Sequence, residues 1–319
     1  MSKQKKEQRR PIKLTKIEEY LLDNVEKKHL LASLAIVLAL IAFYYLTIPQ
    51  KIFYVDVNGI AHYSQNRGPI VFSEKFLSDD SDYSISEISF NSNGTKVYGK
   101  LWVPKKTGRH GAIIFLPGAG GLKEAGIDYA NLFKGKNIAI FALDQRGFGQ
   151  TIGDSQGFDA EYASFLQGKE YQSVLFAYDA LRSFDYLSQR QDIDSSKIAI
   201  VGESLGGRNA IIAAAMDNRI KMVVGISTGG YGLPLSNNLN ATRFIRSIDP
   251  DAYVPLISPR RVVIFHSEND NLQPYSIGLR TFNYAKEPKQ MVKVYCKSHG
   301  LCSDMSGIVV DQIVKGLNP

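Results

Sequence analysis

Cysteine is almost missing from this chain: 319 residues hold two, Cys296 and Cys302. With His299 between them they offer three metal-ligating side chains but no fourth, at a spacing that matches no established zinc pattern. No metal is expected. A basic stripe is missing too. The net charge is +7, but nine Lys/Arg against five acids fall in the first 28 residues, leaving 29 basic and 26 acidic residues beyond them. No run of cations with interleaved aromatics occurs there, so nucleic acid is not an expected partner. The glycine-rich phosphate loops are excluded as well, since neither a Gly-Lys-Ser/Thr ending nor G-x-G-x-x-G is present. Internal repeats and low-complexity tracts are absent.

One long absence is informative in itself. Leu30 to Gln50, LLASLAIVLALIAFYYLTIPQ, carries no charged residue. At about 1.5 Å per residue, a helix over this run reaches across the roughly 30 Å apolar core of a bilayer. A core helix of this length would carry a polar face. A cleaved signal peptide would have a shorter apolar region, followed by a small-x-small site. The run therefore predicts a transmembrane anchor over 30–50, with Tyr44 and Tyr45 near one interface. The cationic tail 1–29 predicts a cytoplasmic N-terminus, which places the rest of a single-pass chain on the extracytoplasmic side. Residues 51–83 read as an irregular connector.

From residue 84 the pattern is regular. ISEISFNS and KVYGKLWVP alternate polar and apolar residues around Asn93-Gly94-Thr95, which predicts a β-hairpin. GAIIFLPG (111–118) is a continuous apolar run ending in glycine, the mark of a strand buried on both faces. Strands follow at 137–144, 197–202, 222–228, 261–267 and 291–296, with helical spacing over 171–187, 205–216 and 306–317. Alternating strands and helices predict a mostly parallel sheet with helices on both faces, entered through an antiparallel hairpin, over 84–319.

Gly202-Glu203-Ser204-Leu205-Gly206 matches G-x-S-x-G directly after one of these strands and at the head of a small-residue helix. In such a strand-to-helix elbow the serine hydroxyl is exposed above the sheet, next to a helix N-terminus that favours developing negative charge. A serine nucleophile needs a base, and the base needs an orienting acid. Only His266 and His299 follow Ser204. His266 sits inside the strand RVVIFHS, as a packed histidine would. His299 lies beyond the last strand, where an imidazole can project over the strand ends. In HSENDNLQP, Asp270 is the candidate acid and Glu268 the backup. The oxyanion donors expected are the backbone N–H of Leu205 and of Ala119, with Gly118 and Gly120 as neighbouring choices in Pro117-Gly118-Ala119-Gly120-Gly121.

On LPGAGG, Asp144-Gln145-Arg146-Gly147-Phe148-Gly149, GESLGG, HSEND and SHG, residues 84–319 resemble the α/β-hydrolase superfamily. The similarity is to serine hydrolases of the prolyl-oligopeptidase catalytic-domain, acyl-aminoacyl-peptidase and dienelactone-hydrolase-like group. Leu-Pro-Gly stands where His-Gly is commoner, and the acid strand ends His-Ser rather than His-Gly. The resemblance implies Asp144 and Arg146 as structural braces first, and a catalytic order Ser204, Asp270, His299. It implies no cofactor. The expected function is a membrane-anchored serine hydrolase that cleaves an ester or related acyl bond through an acyl-enzyme. Peptidase, thioesterase and acyltransferase activities share this machinery. A catalytically silent binding module is the alternative of another class. Tyr231 to Ser258, the longest irregular stretch after the nucleophile, can either line the mouth of the site or run over the surface. Asn93 and Asn240 stand in glycosylation sequons. Outside the cytoplasm disulfides persist, so Cys296 and Cys302 are predicted to form a bridge that pins the His299 loop.

Overall fold

The computed structural model describes residues 15–47, 53–153, 157–234 and 236–318. Residues 1–50 and 51–319 form separate units. In the first, one helix, α1, runs over Lys16–Thr47. The uncharged run enters it at Leu30, but its side chains are described only as far as residue 39, so Tyr44, Tyr45 and residues 48–50 lie outside what is described. Among the described residues no helix is long and apolar enough to cross a membrane.

The second unit is built on period-two strands. β1 (Phe53–Val55) and β2 (Ala61–Tyr63) form a small antiparallel pair. β3 (Phe72–Asp79), β4 (Tyr83–Ser92) and β5 (Thr95–Pro104) are antiparallel neighbours in the main sheet. The β4–β5 turn falls on Asn93 and Gly94, whose φ values of 45° and 79° suit a tight hairpin. The described residues of 51–83, read from sequence as an irregular connector, thus hold β1, β2 and β3, and the last of these extends the main sheet.

The remaining elements alternate. They are β6 (His110–Leu116), α2 (Gly126–Leu132), β7 (Ile138–Leu143), α3 (Phe158–Leu166), α4 (Gln172–Gln189), β8 (Ile193–Glu203) and α5 (Leu205–Met216). There follow β9 (Met222–Ile226), α6 (Leu239–Ile248), α7 (Pro250–Tyr253), β10 (Arg261–Ser267), α8 (Tyr275–Tyr284), β11 (Lys289–Val294) and α9 (Ser303–Leu317). The nine-stranded order is β11-β10-β9-β8-β6-β7-β5-β4-β3, parallel from β11 to β7.

Both faces of the parallel region are covered, which is why β7 and β9 are apolar and buried at every position. On β6, Ala112, Ile114 and Leu116 join the core under α4 and α5, while Ile113 and Phe115 join the core under α2 and α9. Each fully buried Ile or Phe contributes roughly 1.5–3 kcal/mol. The chain reverses its direction of growth at β6, which lies between β7 and β8. Its C-terminal end and that of β8 therefore flank the crevice where open α/β sheets place their sites.

Candidate active site

Ser204 joins β8 to α5 with φ 51° and ψ −116°, a conformation a serine adopts only when its surroundings enforce it. The enforcement is visible. Its amide donates to the carbonyl of Ile226 on β9 (2.9 Å), and its carbonyl accepts from Thr228 Oγ1 (2.7 Å). The motif's glycines let the helix approach the strands. A Cβ on Gly202 would stand 2.2 Å from the Gly206 carbonyl oxygen, and one on Gly206 would stand 2.1 Å from that of Leu116. Either contact is far inside van der Waals distance, so the elbow needs glycine at both positions.

The loop after β6 passes beside the serine. A Cβ on Gly118 would lie 3.4 Å from that of Ser204, and Ala119 is exposed at the loop's tip. The Gly121 amide closes this turn on the Gly118 carbonyl (2.9 Å). Gln145 donates to the Pro117 carbonyl (2.6 Å) and accepts from Asn209 of α5 (2.6 Å), tying the loop to the helix that follows Ser204. Leu205, the first residue of α5, carries the other predicted donor.

The structure brings His299 and Asp270 together. Nδ1 of His299 lies 2.9 and 3.0 Å from the two Asp270 oxygens, so a proton on Nδ1 is donated to the carboxylate. The Asp270 side chain is fully buried, whereas that of His299 is 17 % exposed. Burial by itself would raise the Asp270 pKa. The amides of Gln273 and Leu272, His299 and the Ser227 hydroxyl outweigh it and hold the carboxyl below its ordinary range. Between Ser204 and His299 no hydrogen bond is formed among the described residues. Glu268, the backup acid, points elsewhere and pairs with Lys293 at 3.3 Å. His266 is buried with Nε2 2.9 Å from the Gln273 carbonyl, as a packed histidine.

Cys296 and Cys302 are joined in a disulfide that brackets His299. The bond takes both thiols out of any ligand set. Among the described residues no group of three or more His, Cys, Asp or Glu is arranged to hold a metal ion.

Two groups escaped sequence reasoning. Ser227, in left-handed backbone at φ 48°, accepts from the Gly300 amide (3.0 Å) while its hydroxyl also serves Asp270, joining acid loop to histidine loop. Its only sequence signal is its place just past a buried strand. Glu203, the first variable position of the motif, accepts from the Tyr129 hydroxyl (2.8 Å). Asp144 and Arg146 do brace structure. Asp144 accepts from the backbone and ammonium of Lys123 (both 2.8 Å), and Arg146 grips Asp179 at 2.7 and 2.8 Å. The stretch from Tyr231 to Ser258 carries α6 and α7. A cavity of about 490 Å³ beside it is lined by Leu233, Arg246, Asp251 and Arg280, but by no member of the Ser204, Asp270, His299 set.

A family model described as alpha/beta hydrolase fold matches residues 111–280. An uncharacterised protein of Escherichia coli K12, YfhR, is 24 % identical over 85 % of this chain and 96 % of its own. The acetyl esterase Axe7A of Xylanibacter ruminicola is 24 % identical over 72 % of this chain and 58 % of its own. Among solved structures, an acetyl xylan esterase from Paenibacillus sp. R4 superposes with a TM-score of 0.66 at 18 % identity, over 78 % of this chain and 90 % of that one.

Proposed function

We propose, from the premise that this chain belongs to the alpha/beta hydrolase fold family, that it is a serine hydrolase cleaving an ester or related acyl bond. Ser204 attacks the carbonyl carbon. His299 takes the hydroxyl proton and returns it to the leaving group. Asp270 holds the imidazole in the tautomer with its proton on Nδ1. The amides of Leu205 and Ala119 receive the oxyanion, and water resolves the acyl-enzyme. The observation that carries this reading is the 2.9 Å approach of the His299 ring to a buried Asp270 carboxylate, on loops next to the strained Ser204 elbow. The esterase names among its relatives point the same way. A fluorophosphonate probe and p-nitrophenyl acetate test it together: the wild-type protein labels and turns over, and Ser204→Ala does neither. Equal labelling of both proteins would overturn the mechanism.

The reading includes anchoring through residues 30–50, with the N-terminus cytoplasmic and the hydrolase unit outside. In support, Leu30, Leu31, Leu34, Ile36, Val37 and Leu38 are 50–71 % exposed along α1, an apolar surface that water does not favour. Protease added to intact cells should digest the hydrolase unit and spare the N-terminal tail. Release of the full chain from membranes by alkaline carbonate would overturn the anchor.

A further inference from the structure

Glu203 bears a carboxyl group, lies within the site and takes no part in the triad. It ends β8 immediately before Ser204, and three contacts tie it to its surroundings. Oε1 accepts from the Tyr129 hydroxyl of α2 at 2.8 Å. The amide of Leu301, two residues beyond His299, donates to the same carboxylate. Gly300, at φ 87°, runs so close that a Cβ there would stand 2.7 Å from Oε2. The side chain therefore spans from the nucleophile elbow to the loop that carries the base. The charged and titratable groups facing it are Tyr129 and Asp128 from α2 and His299 from the loop. Burial, and to a lesser degree the Asp128 charge, raises the Glu203 pKa; the Tyr129 hydroxyl, the Leu301 amide and His299 act in the opposite direction. A neutral amide could hold Tyr129 as well, at less cost of desolvation. A carboxylate gains its advantage when a positive charge appears beside it.

We propose that Glu203 is a positioning residue for this reaction: it docks the histidine loop onto the nucleophile elbow, and its carboxylate favours the imidazolium formed when His299 takes the Ser204 proton. Glu203 itself neither gains nor loses a proton in that step. The proton passes from Ser204 Oγ to His299 as the Oγ–carbon bond forms. The inference rests on the serine-hydrolase reading above.

The test uses the full-length chain, with p-nitrophenyl acetate kinetics followed from about pH 5 to about pH 9. Glu203→Gln should lower kcat about tenfold with KM within about twofold, and should move the acidic limb of kcat/KM down by about 0.5–1 pH unit. That direction follows because losing a nearby negative charge weakens the base. Glu203→Asp keeps the charge but is too short to hold both donors. It should lower kcat while leaving the acidic limb in place, and it serves equally if Glu203→Gln does not fold. A merely structural glutamate would lower the amount of folded enzyme without moving the limb. An unmoved limb in Glu203→Gln, or wild-type kcat in Glu203→Asp, overturns the proposal. A wild-type protein inert to both ester and fluorophosphonate overturns the serine mechanism itself, a distinguishable result.

Discussion

Replacing Asp270 by asparagine removes one charge and adds almost no volume, and the geometry dictates what the new amide must do. Oδ1 accepts from the amides of Leu272 (2.9 Å) and Gln273 (3.0 Å), two donors that cannot turn away. The introduced side chain must keep its oxygen there, because an NH2 group facing two N–H donors would leave all of them unsatisfied. Its NH2 then occupies the place of Oδ2, 2.9 Å from Nδ1 of His299. Oδ1, itself 3.0 Å from Nδ1, already takes two amide donors, so the NH2 group favours Nδ1 as its acceptor and shifts the ring proton toward Nε2, the nitrogen that should take the Ser204 proton. The base is lost by tautomer, with the site otherwise intact. A change of this kind costs about 10⁴-fold in kcat, or about 5 kcal/mol of transition-state stabilisation. The assay is steady-state turnover of p-nitrophenyl acetate near pH 7, with a melting curve on the same sample to show that the variant folds. A folded Asp270→Asn protein within tenfold of wild-type kcat would refute the assignment of the acid. Glu268→Gln should stay within about twofold, because that carboxylate pairs with Lys293 at the surface.

Acid should affect the same carboxylate through stability. A carboxyl held below its ordinary range stabilises the fold above that range, and the contribution is lost as pH falls through the folded-state pKa. The Tm gap between wild type and Asp270→Asn should therefore shrink from about pH 7 to about pH 3, and a constant gap would count against it. Opening the Cys296–Cys302 bond by Cys296→Ser with Cys302→Ser should cost about 2 kcal/mol by loop entropy and lower kcat more than it raises KM. Denaturant curves and kinetics read the two effects, and unchanged kcat would show that the bridge does not position His299. Arg146→Ala should destabilise by about 3–5 kcal/mol, since it leaves Asp179 buried without its ion partner. A loss below about 1 kcal/mol in a urea titration would show that Asp179 finds another partner.

The parallel strands could be read from the sequence because each is buried on two faces, and no polar position interrupts Ile113–Leu116 or Met222–Ile226. β3 could not. Its residues FSEKFLSD are exposed at every position, because the strand sits at the sheet edge with solvent on both faces. Without a buried side there is no alternation for a sequence to display. The helix α8 was similarly silent: only Gly278 and Thr281 of its ten residues are buried. Long apolar runs announce the layers of a fold; edges and half-exposed helices are decided by what lies next to them.

The same division runs through the site. Ser204 announces itself because its requirements are local: Gly202 and Gly206 must lack side chains within the same turn, so the constraint falls on adjacent letters. His299 and Asp270 needed an argument from strand order, since their 2.9 Å contact joins loops 29 residues apart. Ser227 showed only its place just past a buried strand, and Glu203 gave no signal of its own. Nothing in GIST marks a serine whose hydroxyl meets the Gly300 amide, and nothing in GESLG says that its glutamate touches Tyr129 and the histidine loop. Such residues hold groups in place across loops distant in sequence, and their identity is fixed by a partner's hydrogen-bonding need rather than by a backbone requirement of their own. On the proposed mechanism, the motif therefore locates the atom that attacks. The groups that set how well it reacts have to be found by asking where each buried hydroxyl and carboxylate near the motif sends its hydrogen bonds.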